Sequence, residues 1–590
     1  MPRRYLFGPV TPRYADENLH EARGSGRCLA FDPGGETDLA VGPDDRWADI
    51  CGRLPGGWRP DYVVLFLPYT TIPRGVASAP VPIVGLAADW NLLWHYYRLR
   101  LPTCDLSFTD EPGVDRLRAA GISGVVAANL FGCERGLLER EWPAGPRDID
   151  ILYVGSLHPA EKRERLPWLA RMALGLGRRW RVLIRAGVDG EDYRRLLARA
   201  RLVLNVSVRG ECNLRAFEAA AAGAVLLQER ANREIGRYFH DGESCALFDE
   251  TDLEPVAEAL LGDEARRLRI ARAAREKVRH HGFASFWEGI EEDVEGRWGD
   301  LVAGSRRRPR LPPVQELAMR CWQSLCTSTG GGHAHDPDPR LVADLRAAAE
   351  DPGSGVLENA LGLSRARSLQ RRDPTGWRAE VSLPHFRNAA RAGPDHPMAR
   401  LNLAECLLLV GRSAEAAAQA RAALAIAERG PLDVEDLGMG HFPPAYDAFR
   451  VEWERAAWLN AGSAAGEVEA KRDLLRWRLH EILAELEDDP SHERAAIQIR
   501  RDLGPTHASL GLRLARRGRL AEAAGALREA LAINPFDRLA ARALGQVLSA
   551  MPDGRGLSSL ATQRRLLSRA APEAIPLEPW FESRGDGAQR

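Results

Sequence analysis

At 590 residues the chain exceeds what one hydrophobic core can organise, so two to four domains are expected. Its 45% hydrophobic and 28% charged residues are ordinary for a globular protein, and 81 basic against 82 acidic side chains leave a net charge of −1. That balance supplies no whole-chain field for nucleic acid or an anionic membrane, and no run of about 18 apolar residues offers a transmembrane helix.

The opening stretch, MPRRYLFGPVTPRYADENL, lacks the apolar core of a signal peptide. The nine cysteines are scattered, with no zinc-type pairing; Cys321 and Cys326 are too widely spaced for CxxC. A soluble, cytoplasmic protein with reduced thiols is the expectation.

In chain order, short apolar runs alternate with helical patterns, the mark of an open α/β sheet. Strands are expected at 4–10, 28–32, 61–67, 81–89, 104–110 and 124–130, with a helix in EPGVDRLRAAG closed by Gly121. After the polar, proline-bearing EREWPAGPRD comes a second alternating set at 148–156, 180–187, 200–207, 224–228 and 245–249. TDLEPVAEALL then offers a capping box from Thr251 to Glu254, and two more helices run to about Val278 and from Phe283 to Trp298. Two α/β halves imply ligand binding at the carboxyl ends of their strands.

Residues 301–337 read as linker, with a helix from Val314 to Leu325 inside it. The GGGHAHD stretch at 330–336 carries two histidines but no further ligands, so a flexible loop is expected there rather than a metal site. From 338 to 570 the pattern is helical. Leu510, Gly511, Leu514, Gly518, Ala523, Leu527, Ala530 and Pro535 fit the roughly 34-residue helix–turn–helix of tetratricopeptide repeats. Leu403, Ala404, Leu407, Gly411, Ala416 and Ala423 repeat the pattern, implying a short solenoid. Aromatic residues within HFPPAYDAFRVEWERAAW, 441–458, are expected in its core, and 571–590 as a tail.

One helix stands out: NLRAFEAAAAG, 213–223. Asn213 is a ready N-cap and Gly223 a stop. Leu214, Phe217 and Ala221 fall on one stripe, and Glu218 lies within it. Arg215 sits in the first turn, where a cation opposes the helix dipole. A bound nucleotide would explain both costs: Arg215 and the amides near Asn213 and Leu214 facing a diphosphate, Glu218 facing ribose hydroxyls. A solvent-exposed Arg215–Glu218 pair explains them equally. A second candidate phosphate element lies in ILYVGSLHPAEKRERL, where Gly155 and Ser156 end a strand ahead of Lys162, Arg163 and Arg165.

The stretch from RARLVLNVSVRGECNLRAFEAAAAG through DGESCALF resembles the donor-binding half of a GT-B glycosyltransferase. It is most similar to the spore-maturation (CgeB-type) branch beside the family 4 enzymes. The resemblance covers about 149–290 and only loosely the first half. It implies two Rossmann-like domains, 1–140 on the acceptor side and 148–300 binding a nucleotide-diphosphate sugar, with Glu218 on the ribose.

Two departures matter. Many relatives carry an earlier glutamate, and its place here is Gly210, with Glu211 adjacent. Where they carry a histidine after a central strand, this chain has Ala88 and Asp89. Asp89 and then His95 are the candidates for touching a sugar. Neither metal nor cofactor is called for, because the helix dipole and arginines can face the leaving diphosphate; stereochemistry stays open.

The expected activity is sugar transfer to a protein or glycan acceptor, with the repeats recruiting acceptor or partner. Alternatives are a nucleotide-sugar epimerase of the same fold and an inactive repeat-bearing scaffold.

Overall fold

The computed structural model describes residues 2–142, 145–161, 163–308, 311, 313–326, 343, 355–372, 378–429, 432, 440–442, 448–552 and 554–575. Lys162 and the GGGHAHD stretch lie outside them. The chain divides into two compact units, each assembled from separated stretches. One joins Met1–Leu130 to Phe283–Glu487, the other Phe131–Gly282 to Asp488–Arg590.

The first unit contains seven parallel strands: β1 Tyr5–Gly8, β2 Cys28–Asp32, β3 Leu39–Ala40, β4 Tyr62–Phe66, β5 Ile83–Leu86, β6 Leu106–Thr109 and β7 Val125–Ala127. Their order is β3-β2-β1-β4-β5-β6-β7, with Leu6 of β1 in register with Leu29 and Val63 of its neighbours. The two-residue β3 lacked enough length to show an apolar pattern. Continuous apolar runs such as YVVLF follow from burial on both faces of a parallel sheet.

The region expected as linker contains the helix Pro313–Cys326, and its Met319, Cys321, Trp322 and Leu325 enter the same core as Leu6, Val63 and Trp94. That stretch is therefore part of a folded core. Helix Phe283–Gly296 also packs here, with Trp287 5.4 Å from Tyr5 and Glu291 paired to Arg27. Phe442, Phe449 and Trp453 are buried as expected.

The second unit has five parallel strands: β8 Ile149–Val154, β9 Val182–Arg185, β10 Ala200–Asn205, β11 Val225–Glu229 and β12 Ala246–Phe248. Their order is β12-β11-β10-β8-β9. From β8 the chain goes one way to β9 and the other way to β10, so the topological switch lies between β8 and β10. Both sheets are of the Rossmann-like kind that the sequence leads one to expect, and a helical region follows them in the chain.

Half-buried Arg147 braces this unit by donating to Ala200 O at 2.5 Å and Ala222 O at 2.6 Å, at the carboxyl ends of two helices. Cations suit such ends because the last carbonyls lack partners inside the helix. The expected capping box at Thr251 does not form. The helix is Leu253–Gly262 with Asp252 at its N-cap, while Thr251 Oγ1 donates to Asp249 at 2.6 Å.

Two helical pairs carry the repeat-like pattern. Gly504–Arg516 and Leu520–Ile533 are joined through Gly518 at φ 72°, and a Cβ on Gly511 would lie 2.6 Å from Leu527 Cγ. That explains glycine where the helices cross. Pro397–Leu409 and Ser413–Arg429 turn similarly through Gly411 at φ 76°.

At the far end, Leu567, Ala571 and Ile575 enter the core of the second sheet. Residues 571–575 are thus anchored, where a tail was expected; an apolar side chain of this kind contributes about 1.5–3 kcal/mol when buried. No helix among the described residues is long and apolar enough to cross a membrane.

Candidate functional site

Helix Leu214–Ala221 begins as its sequence suggests, with Asn213 Oδ1 accepting from Arg215 N at 3.2 Å. Gly223 follows it at φ 70°. The apolar stripe differs from expectation, because Leu214 is 36% exposed while Ala216, Phe217, Ala219 and Ala220 are buried. A leucine in the first turn projects beyond the core that the rest of the helix meets.

Arg215 reaches from this helix across the switch between β8 and β10. Its Nε donates to Val154 O at 2.9 Å, and its Nη1 donates to Asn205 Oδ1 at 2.8 Å. Val154 ends β8 and Asn205 ends β10. The guanidinium lies 4.7 Å from the ring centroid of buried Tyr153, a favourable cation–π position. Nη2 lies so close to Gly155 that a Cβ there would overlap it, and would also come within 2.8 Å of the Tyr153 hydroxyl. Glycine at 155 is what admits the guanidinium.

From Asn205 the bonding continues inward. Asn205 Nδ2 donates to Gln228 Oε1 at 2.7 Å, and Gln228 Nε2 donates to Glu229 Oε2. The other oxygen of Glu229 accepts from Ser207 N at 2.8 Å and from the Ser207 hydroxyl. Burial raises the Glu229 pKa above the usual carboxylate range, and the Ser207 hydrogen bonds oppose that shift. The sequence had shown these residues only as the polar ends of the apolar runs ARLVLN and VLLQE. A polar residue ending a buried strand was the available signal.

The remaining candidates in this unit occupy different levels. Ser156 is exposed, and its Oγ accepts from His158 N at 3.2 Å. Arg165 is only 5% exposed; its Nε donates to Val206 O at 2.8 Å and its Nη1 to the Tyr153 hydroxyl at 3.0 Å. It therefore ties Tyr153 to the backbone just after β10. Glu218 is half-buried, and its Oε2 accepts from the Tyr193 hydroxyl at 2.6 Å. Burial, and next the charge of Glu218, push the Tyr193 hydroxyl well above the ordinary tyrosine value. Arg215 and Glu218 thus bond to different neighbours in the fold.

Residues 145–291 match the family model for glycosyl transferase-like proteins. The matched stretch contains all of β8 to β12 and every residue of the switch just described. No curated protein matches the chain. Among solved structures, the chain is similar to Anabaena HepE in complex with UDP, at 14% identity and a TM-score of 0.37, over 50% of this chain and 100% of that one. It is also similar to a glycosyltransferase from Rickettsia africae, at 11% identity and a TM-score of 0.36, over 50% and 98%. A third similar structure is WaaG, a glycosyltransferase involved in lipopolysaccharide biosynthesis, at 15% identity and a TM-score of 0.34, over 50% and 98%.

Outside the matched stretch, the first unit holds the other two candidates. Asp89 follows β5 at φ 50° and accepts from the hydroxyl of Tyr69, itself at φ 56° after β4, at 3.2 Å. Two side-chain-bearing residues in the left-handed region at neighbouring strand ends mark strained backbone of the kind found at functional sites.

His95 is internal, at 6% exposure. Its Nδ1 donates to Glu454 Oε2 at 2.6 Å and its Nε2 accepts from Lys471 Nζ at 2.9 Å. With both ring nitrogens occupied, it has no polar atom left for a sugar, which removes it from the candidates. Its partners lie more than 350 residues away in sequence, beyond the reach of any local pattern. Among the described residues, no group of three or more histidine, cysteine or acidic side chains could hold a metal ion.

Proposed function

We propose that the protein transfers a sugar from a nucleotide-diphosphate donor to a protein or glycan acceptor. The observation that carries this reading is Arg215 spanning the switch between β8 and β10 inside the domain matched by the glycosyl transferase-like family. Open parallel sheets bind ligands at that crevice. Arg215, the turn at Gly155 and Ser156, and the first amides of the helix after Asn213 would face the diphosphate as it leaves with negative charge. Glu218, held by Tyr193, would accept from the ribose hydroxyls.

In this reading Asp89, with Tyr69 beside it, contacts the acceptor or the moving sugar. Charge at the diphosphate is stabilised by the arginine and amides without a bound metal. The paired helices resemble tetratricopeptide repeats and would recruit the acceptor or a partner protein. Anabaena HepE was solved with UDP and with UDP-glucose, which makes uridine nucleotides the first to try.

Calorimetric titration of the full chain with UDP, ADP, GDP and dTDP tests the reading, with Glu218→Ala as control. Micromolar binding of one nucleotide, weakened by the substitution, is expected. No binding to the wild type would leave a repeat-bearing scaffold as the better description. Release of free sugar nucleotide isomer without acceptor would favour an epimerase.

A further inference from the structure

The chain of groups behind Arg215 has a direction. Arg215 donates to the Asn205 amide oxygen, the Asn205 amide nitrogen donates to Gln228, and the Gln228 nitrogen donates to Glu229. Each amide therefore accepts on the side of the cation and donates on the side of the carboxylate. One orientation of both amides satisfies every link, so the chain is set by the charges at its two ends.

An arginine can be fixed more simply, by direct contact with a carboxylate. The same unit does this at Arg171, whose Nε donates to Glu254 Oε1 at 2.6 Å, and at Arg513, which meets Glu493 at 2.7 Å. Direct pairing cancels much of the field that a nearby anion would feel. At Arg215 the guanidinium is anchored instead by a carbonyl and an amide, with its counter-charge two side chains away.

We propose that Asn205 and Gln228 are positioning residues that hold Arg215 for a phosphate group without neutralising it. The inference rests on the donor-binding reading above and adds a residue-level cause for anion affinity. Gly155 completes the arrangement by letting Nη2 lie against the strand end, beside the turn whose amides would share the ligand.

The test is a charge swap at the first amide. Asn205→Asp keeps an acceptor for Arg215, so a purely structural role predicts unchanged binding. The relay predicts that affinity for the nucleoside diphosphate falls about tenfold or more, the scale of losing a charge-assisted hydrogen bond, while affinity for the matching nucleoside is unchanged. Gln228→Met provides a second variant: it removes the inner link without adding charge, and a smaller loss confined to the diphosphate is expected. Unchanged diphosphate affinity in either folded variant overturns the relay and leaves the donor-binding reading intact. Failure of the wild type to bind any nucleoside diphosphate overturns both.

Discussion

Two cations in this protein are linked to carboxylates through neutral side chains, one for Lys471 and two for Arg215, and they differ in instructive ways. In the first unit Lys471 is fully buried, donates to His95, and through it meets Glu454. Lys471 also contacts a carboxylate directly, Glu467 Oε1 at 2.7 Å. Burial lowers its pKa below the ordinary lysine value, with Glu467 opposing the shift. In the second unit Arg215 is half-buried and its partners are a carbonyl and an amide. A cation sealed inside needs a neighbouring anion to offset its desolvation. One that keeps access to water can be held by neutral groups and retains its charge for something else.

Breaking the sealed assembly should have the largest effect. Lys471→Met leaves buried Glu467 held only by Arg98 and buried Glu454 held only by His95, and should cost about 3 kcal/mol or more in thermal or denaturant unfolding. Arg215→Met should cost about 1 kcal/mol and abolish diphosphate binding. Equal stability losses in the two variants would erase the distinction.

Acid should then unseal the first unit at a related site. Glu405, gripped by Arg478 at 2.6 Å, has its pKa lowered from 4.5 to about 2 despite burial. Its contribution is complete above pH 4.5 and is lost as pH falls toward about 2. Up to about 3 kcal/mol should disappear across that window, and Glu405→Gln should flatten this part of the stability–pH curve.

A smaller effect is expected at Gly155. Replacement by alanine drives a methyl into Arg215 and Tyr153, so diphosphate affinity should fall about tenfold with little change in melting temperature. Retained affinity would show that the guanidinium has room to shift. Smallest of all, Asp89→Gly should relieve the left-handed backbone and raise stability by up to about 1 kcal/mol, while weakening transfer if Asp89 touches sugar. Loss of stability on that change would mean that its bond with Tyr69 outweighs the strain.

The layout of sheets was legible because both are parallel and buried on two faces, so every strand but the two-residue β3 prints an apolar run. The cap at Asn213 and the stop at Gly223 were legible for the same reason that they work: they are local. What escaped was mostly non-local. His95 looked available until Glu454 and Lys471 closed around it, and Leu214 looked buried because helical spacing gives a stripe without saying how far the core extends. Arg215 was singled out, but Asn205, Gln228 and Glu229 were not. They became neighbours only when the parallel order placed β8, β10 and β11 side by side.

The interleaving of the two units bears on how the chain is made. Each draws on an early and a late stretch: the first needs residues up to Glu487, and the second needs the helix that brings Leu567 and Ile575 onto its sheet. A ribosome delivers residues from the amino terminus, so both sheets emerge with part of their apolar covering still unsynthesised. Neither can reach its final stability in sequence order, and protection of these waiting surfaces falls to chaperones or to speed.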